Sequence, residues 1–211
     1  FQSSIQDEQI QAELPAFFEA LKAIIPLEGD WFPRMEYRDQ LPEGERLVFR
    51  IREAPERTES LTLWTSDEPD PRKQYRIKGP DLSIGQQIRR RANLSGADEA
   101  VLLSDSGHIA DGALSAIVWW RGDVLCAPGN EIPWLESVTR TEIFEVAEKL
   151  GIETKTALAK PEDLIGKEVW LLSSLQGIRL VTNWVGLSDS FSEGKHIATF
   201  EAELEKLLAP L

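Results

Sequence analysis

Apolar residues at helical spacing predict a first helix over residues 15–25. Pro15 suits the first turn of a helix, where its missing N–H costs little. One face of this helix is lined by apolar side chains, namely Phe17, Phe18, Leu21, Ile24 and Ile25. Pro26 and Gly29 then end the pattern, since proline and glycine are the usual residues at which helices stop.

Alternation of apolar and polar residues predicts two half-buried strands, at 46–52 and 60–65. We expect them to be antiparallel neighbours, because each has one apolar face. The segment 67–72, DEPDPR, holds two prolines and four charges and is typical of a linker. Residues 1–70 are therefore predicted to form a small α+β domain.

Beyond this segment the apolar residues form short continuous runs, which are typical of strands buried on both faces. Such runs lie at 99–103 and 116–120, on either side of a Gly-rich polar segment at 104–112. Further strands are predicted at 124–127, 169–172 and 178–181, and helices at 139–150 and 197–208. We expect residues 76–211 to form a second, β-rich domain.

Composition places the chain among ordinary globular proteins. Of its 211 residues 42% are apolar and 28% charged, and seven Trp and eight Phe supply material for a core. No apolar run approaches the roughly 20 residues that a membrane-spanning helix needs. Cys126 is the sole cysteine, so an internal disulfide is impossible, which agrees with a cytoplasmic location.

The net charge of −13 makes nucleic acid an unfavourable partner, because a field of that sign repels phosphate backbones. An anionic ligand needs a local site that overrides this field. No metal site is predicted, since His108, His196 and Cys126 do not form a ligand cluster. The dinucleotide, P-loop, metalloprotease and α/β-hydrolase motifs are absent as well.

Four blocks in the second half of the chain carry a resemblance to a known family. They are residues 96–125 (GADEAVLLSDSGHIADGALSAIVWWRGDVL), 135–140 (LESVTR), 141–152 and 168–181 (EVWLLSSLQGIRLV). In this order they resemble the core of the class IV aminotransferases, the fold-type IV pyridoxal-phosphate (PLP) proteins, which include branched-chain aminotransferases and aminodeoxychorismate lyases. The resemblance implies an α+β fold, with a small α/β domain, a larger β-barrel-like domain and PLP in the crevice between them.

The resemblance points to Lys78 as the covalent anchor of the cofactor. In the family a lysine ahead of the GADE block forms a Schiff base with PLP, and Lys78 stands in that place. A desolvated lysine amine has a lowered pKa, so it can attack an aldehyde and move a proton. A lone lysine is usually a solvated side chain, and the flanking blocks are what favours the catalytic role. Lys73, the nearest competitor, lies in the charged linker region.

The family also implies which residues hold the ring and the phosphate. Asp111 takes the place of a glutamate that pairs with the pyridine nitrogen, although an Asp before Gly is also a common turn residue. The backbone amides of Val138 and Thr139, at a helix N-terminus, would bind the phosphate together with a hydroxyl of Ser173 or Ser174. Without the resemblance, Thr139 is read as an ordinary N-cap.

Candidate substrate contacts lie in two places. The backbone N–H groups of Leu175 and Gln176 would meet a substrate carboxylate. Arg34, Arg52 and Arg179 are each able to pair with a carboxylate as well. With 36 acidic residues in the chain, surface ion pairs are the ordinary explanation for these arginines.

Two features depart from the family pattern. Ser83 replaces a tyrosine that touches the phenolic oxygen of PLP. The phosphate-binding arginine of the family belongs to an early segment that has no counterpart here. Since the sequence begins at Phe1 rather than Met, we expect the natural chain to begin further upstream, where that arginine would lie.

Three functions are compatible with these residues. The first is an aminotransferase that moves an amino group between an amino acid and a 2-keto acid. The second is a lyase like aminodeoxychorismate lyase, which forms 4-aminobenzoate and pyruvate. The third is a non-catalytic homologue that keeps the fold. Because the family builds its active site at a two-fold interface, the resemblance also implies a homodimer, and seven Trp agree with an interface.

Overall fold

A computed structural model describes residues 7–79, 81–187 and 191–208. Its contacts divide the chain into two compact units, with the boundary between Glu56 and Arg57. Each unit is described by itself. The division into domains at 1–70 and 76–211 stays a prediction.

The first unit combines one helix with a short antiparallel sheet. Its elements are α1 (Glu8–Ile24), β1 (Arg34–Tyr37) and β2 (Leu47–Arg50). The Asp7 carboxylate caps α1 by accepting the N–H groups of Gln9 at 3.0 Å and Ile10 at 3.3 Å. This cap starts the helix about two turns before the predicted start at Pro15, which lies inside the helix instead. A small apolar core joins helix and sheet through Ile10, Leu14, Phe18, Tyr37 and Leu47.

The second unit is built around one eight-stranded sheet. Its elements are β3 (Ser60–Thr65), α2 (Leu82–Leu94), β4 (Glu99–Leu103), β5 (Ile109–Gly112), β6 (Ala116–Arg121), β7 (Val124–Ala127), α3 (Val138–Lys149), β8 (Thr154–Thr156), a 3₁₀ turn (Pro161–Leu164), β9 (Val169–Ser173), β10 (Gly177–Val185) and α4 (Ile197–Glu205). The strand order is β5-β4-β3-β10-β9-β6-β7-β8, in a curled half-barrel. The predicted α+β fold with a β-barrel-like part is thereby confirmed.

The predicted pairing of the strands at 46–52 and 60–65 is wrong. β2 pairs with β1, whereas β3 lies between β10 and β4 and runs parallel to both. Alternation along a strand shows which side chains face a core, but it does not show which strand lies alongside.

The sheet is buried on both faces, as the continuous apolar runs predict. On β6, Ile117 and Trp119 belong to one core cluster, whereas Val118 and Trp120 belong to another, together with side chains of α3 and α4. Trp119 and Trp120 are thus core residues, 0% and 4% exposed.

The helix α2 is absent from the sequence predictions. Ile88 and Ala92 pack on β4, and Gly85 faces the turn after β5. The apolar face of α2 has only one residue per turn. Next to the glycine and the following run of three arginines, so narrow a face does not indicate a helix in the sequence. Within the described ranges no helix is long and apolar enough to cross a membrane.

Candidate active site

A cavity of the second unit collects side chains from four parts of the chain. These are the loop ahead of α2, the end of β5 with its following turn, the residues that lead into α3, and the end of β9. Five of the predicted cofactor residues line this cavity, namely Lys78, Asp111, Val138, Ser173 and Ser174. The topology therefore brings together residues that are far apart in sequence.

Lys78 lies in the loop that leads into α2. The loop is held by local hydrogen bonds, including one from the Gln74 N–H to Asp81 at 2.7 Å and one from the Leu82 N–H to Gly79 at 3.0 Å. The Lys78 side chain lines the cavity and is exposed, so the structure does not show the desolvated lysine that the sequence analysis expected.

Asp111 is the buried carboxylate of the cavity, with 6% of its side chain exposed. Its Oδ2 accepts a hydrogen bond from Arg72 Nη1 at 3.1 Å and another from the Leu135 N–H at 3.0 Å. Burial raises the pKa of Asp111 to about 6, although Arg72 and the Leu135 N–H favour the charged form. The polar segment predicted at 104–112 thus ends in a buried strand that delivers this carboxylate.

Arg72 is a site residue that the sequence analysis missed. Its Nε donates to both carboxylate oxygens of Asp70, at 3.0 and 2.9 Å, and its Nη2 donates to Asp70 at 2.7 Å. The two side chains are 7% and 2% exposed. Two charges of the predicted linker 67–72 are thus paired and buried rather than solvated. Sequence does not distinguish the two cases, because a charge-rich segment has the same composition in both.

The N-terminus of α3 borders the same cavity. Ser137 is the N-cap, since its Oγ accepts the Arg140 N–H at 3.2 Å, and the interpretation of Thr139 as the N-cap is wrong. The Thr139 hydroxyl lies 3.3 Å from Ser174 Oγ. The backbone N–H groups of Val138 and Thr139 belong to the first turn, where no intrahelical acceptor exists. Hydroxyls and helix N–H groups thus meet at one edge of the cavity.

Comparison with known families shows the family to which the chain belongs. The profile of the family described as "Amino-transferase class IV" matches residues 39–184. The chain belongs to the class IV aminotransferase family. The resemblance inferred from the four sequence blocks is confirmed.

Two curated relatives match parts of the chain. "Aminodeoxychorismate lyase" of Bacillus subtilis is 27% identical over 106 residues, which are 50% of this chain and 36% of that protein. "Probable branched-chain-amino-acid aminotransferase" of Synechocystis sp. is 36% identical over 78 residues, which are 36% of this chain and 26% of that protein. The matches thus span about a third or less of these relatives.

Solved structures of class IV aminotransferases share the fold. The branched-chain aminotransferase of Thermoproteus uzoniensis with norvaline has a TM-score of 0.78 at 18% identity, covering 95% of this chain and 70% of that one. An aminotransferase of Brucella abortus bound to PLP has a TM-score of 0.76 at 15% identity, covering 93% and 75%. Identities this low support the fold alone.

Ser83, which stands in the place of the family tyrosine, does not reach the cavity. Ser83 lies on α2, is exposed, and is not among the residues that line the cavity. Tyr75 does line the cavity, from the loop ahead of Lys78. The aromatic hydroxyl nearest in sequence to the lysine therefore comes from the preceding side of the chain.

Arg140 belongs to the family-like block LESVTR, but its contacts are with other residues of the chain and do not favour a role in ligand binding. Its guanidinium lies 3.8 Å from the Trp134 ring and donates to the Pro128 carbonyl at 2.8 Å. Burial lowers the pKa of Arg140 to about 10. Its contacts connect α3 to the segment that precedes it.

The candidate substrate residues are dispersed. Arg52 belongs to the first unit, where it lies over the Phe32 ring at 4.8 Å. Arg179 is 7% exposed and does not line the cavity, and its Nε has no hydrogen-bond partner among the residues that the structure covers. Arg34 pairs with Glu36 at 3.1 Å, which is the surface ion pair expected as its ordinary explanation.

Leu175 and Gln176 form the turn between β9 and β10. The Gln176 N–H donates to Ser173 Oγ at 3.2 Å, and its side-chain oxygen accepts the Thr58 N–H at 3.0 Å. The Ser173 hydroxyl therefore accepts a hydrogen bond within this turn, whereas the Ser174 hydroxyl lies beside the first turn of α3.

Proposed function

We propose that this chain is a PLP-dependent aminotransferase, which moves an amino group between an amino acid and a 2-keto acid. The observation that carries the proposal is that Lys78 and Asp111 line one cavity at the N-terminus of α3. An amine, a buried carboxylate and an anion-binding helix end are the three groups that PLP requires. The family and the fold are those of PLP-bound relatives.

The residues present match the functional groups of the cofactor. The Lys78 amine would hold it covalently, and Asp111 would pair with the ring nitrogen. The first-turn N–H groups of Val138 and Thr139, with the Ser174 hydroxyl, would bind the phosphate. Such a site accommodates an anion within a chain of net charge −13, because helix N–H groups act over a short range.

When bound, PLP supplies an electron sink for the bond-breaking step at the substrate. The chain contributes the other functions. The Lys78 amine would take the proton from the substrate Cα, which calls for an amine that is neutral when substrate is bound. The backbone N–H of Leu175 is a candidate donor to the substrate carboxylate.

A lyase of the same family is the second candidate. The similarity to the lyase of Bacillus subtilis extends over half of this chain, which is more than the similarity to the aminotransferase of Synechocystis covers. Release of pyruvate from aminodeoxychorismate would identify the lyase, whereas transfer of the amino group to a 2-keto acid would identify the aminotransferase.

The proposal is tested by adding PLP to the purified chain. We expect a visible absorption band, which borohydride reduction should abolish while it fixes the cofactor to the chain through a stable amine. We expect Lys78→Ala to lack the band while the melting temperature stays unchanged, because the side chain is exposed. Lys73→Ala is the matched control and should keep the band. A chain without any band would be the non-catalytic homologue, and a band retained in Lys78→Ala would move the anchor to another lysine.

We further propose that the protein is a cytoplasmic homodimer. Members of the family complete their active sites at a two-fold interface, and the reduced, buried Cys126 suits a reducing compartment.

A further inference from the structure

Arg72 connects two carboxylates that differ in their surroundings. Asp70 holds the guanidinium through Nε and Nη2, and the remaining Nη1 reaches Asp111 Oδ2 at 3.1 Å. The side chains of Asp70, Arg72 and Asp111 are 2%, 7% and 6% exposed. Arg72 and Asp111 line the cavity, whereas Asp70 is not among its lining residues. We call these three side chains the clamp. In it, Asp70, which does not line the cavity, holds the guanidinium of Arg72, and Asp111 lines the cavity.

The charges of this clamp suit a cationic ligand group. One guanidinium between two carboxylates leaves one net negative charge, and the bidentate pairing of Arg72 is with Asp70. Without Arg72, a buried Asp111 carboxylate would retain only the Leu135 N–H, and desolvation would drive it towards its neutral form.

We propose that Arg72 is a positioning residue that keeps Asp111 ionised and directed at the cavity, so that Asp111 can pair with the ring nitrogen of PLP. The inference rests on the proposed function, in which PLP occupies this cavity.

Other charged groups around Asp111 do not replace Arg72. Arg140 attracts Asp111 electrostatically, but it donates to the Pro128 carbonyl and lies over Trp134. Asp70 repels Asp111. Lys78 lines the same cavity without a hydrogen bond to Asp111 in the structure. Over the described ranges, Arg72 is the cation that hydrogen-bonds to Asp111.

A double-mutant cycle on PLP affinity tests the inference, with the apoprotein titrated by PLP. We expect Arg72→Gln to weaken PLP binding at least about tenfold, the loss of one charge-assisted hydrogen bond. In an Asp111→Asn background, the same change should alter the affinity by less than about twofold. Arg72→Lys should recover part of the affinity, and Arg90→Gln, at an exposed position of α2, should leave it unchanged. Equal effects of Arg72→Gln in both backgrounds would overturn the inference.

The pH dependence separates positioning from a merely structural role. Because Asp111 must be ionised, Arg72→Gln should weaken PLP binding more at pH 6 than at pH 8, relative to the parent protein, whereas a loss of structure would act equally at both. If Arg72→Gln does not fold, the same cycle and pH comparison with Arg72→Lys decide the point. PLP binding that depends on Lys78 but shows no coupling overturns only the role of Arg72. A parent chain that does not bind PLP overturns the proposed function and this inference together.

Discussion

At single residues of the cavity, and most clearly at Asp111, the requirements of stability and of function oppose each other. A carboxylate that is 6% exposed loses most of its hydration, and its hydrogen bonds from Arg72 and Leu135 offset only part of that loss. The raised pKa of about 6 therefore marks a carboxylate whose charged form is less favourable in the folded chain than in water. Sites that hold such a group are often those at which a ligand later supplies the missing partner.

The stability of the apoprotein should reflect the free-energy cost of burying the ionised Asp111 carboxylate. The folded-state pKa of Asp111 is raised from 3.8 to about 6, so its ionisation costs stability as pH rises from about 4 to 6, and the cost is complete above that window. Asp111→Asn, which mimics the neutral form, should stabilise the apoprotein by up to about 3 kcal/mol at pH 8, with the gain vanishing near pH 4. Urea unfolding across this pH range measures it, and an Asn variant less stable than its parent at pH 8 would contradict the prediction.

At the scale of elements, the site depends on how closely α2 approaches the turn after β5. Gly85 faces that turn, and an added Cβ would clash with the Ala113 carbonyl oxygen. The same turn is bound to β4 by the Ala113 N–H, which donates to the Ala100 carbonyl at 2.9 Å. A single glycine thus sets the spacing between the helix after Lys78 and the turn after Asp111.

Gly85→Ala should therefore destabilise the protein although it lies in a helix. Alanine ordinarily stabilises a helix interior by about 1 kcal/mol relative to glycine. Here the clash is with backbone, so we expect a loss of about 1–3 kcal/mol instead. Thermal unfolding of the apoprotein checks the sign, and Gln86→Ala, at the exposed neighbouring position, is the control that should change little.

The docking of α4 rests on a second buried carboxylate. Glu168 is 4% exposed and accepts hydrogen bonds from Trp170 Nε1 at 2.9 Å and from the His196 N–H at 3.1 Å. His196 Nδ1 lies 2.8 Å from the same carboxylate, and its ring stacks on Trp120 with 3.6 Å between centroids. Phe200 of α4 completes this aromatic group.

Glu168→Ala should loosen the C-terminal helix, because it leaves the Trp170 and His196 donors without their acceptor. We expect a loss of about 3 kcal/mol, since three hydrogen bonds to a buried carboxylate are lost at about 1 kcal/mol each. Hydrogen exchange should show the largest loss of protection in α4. Glu201→Ala, at an exposed position of the same helix, should stay within about 0.5 kcal/mol of the parent. An equal effect of the two changes would show that Glu168 does not anchor α4.

For the whole molecule, the open question is association. Trp119, Trp170 and Trp184 are fully buried in the cores of the second unit, so these three do not contribute to an interface. The expectation of a homodimer therefore depends on the family rather than on the Trp count. The net charge of −13 opposes association weakly, since physiological salt screens exposed charges beyond about 8 Å.

We predict a dimer at micromolar concentration with PLP present. Light scattering measures the mass directly, and the same sample without PLP shows whether the cofactor contributes to assembly. A mass equal to that of one chain under both conditions would contradict the prediction.

The order of apolar and polar residues determined most elements of the second unit. Strands buried on both faces need apolar residues at successive positions, so runs such as 116–120 were recognisable from sequence. The family blocks pointed to Lys78, Asp111 and the N-terminus of α3 as candidates, because such blocks depend on residue identity and order along the chain, and these candidates line one cavity.

Only the tertiary structure decided which of these elements meet. Pairing of β3 with β10 and β4 depends on contacts between distant segments, and no local pattern encodes them. The same holds for Arg72. Its partner Asp111 lies 39 residues away, and the charged residues beside Arg72 in the sequence do not reveal that its side chain is buried in the fold. A charge is identified by sequence, whereas its burial and its partner are properties of the folded chain.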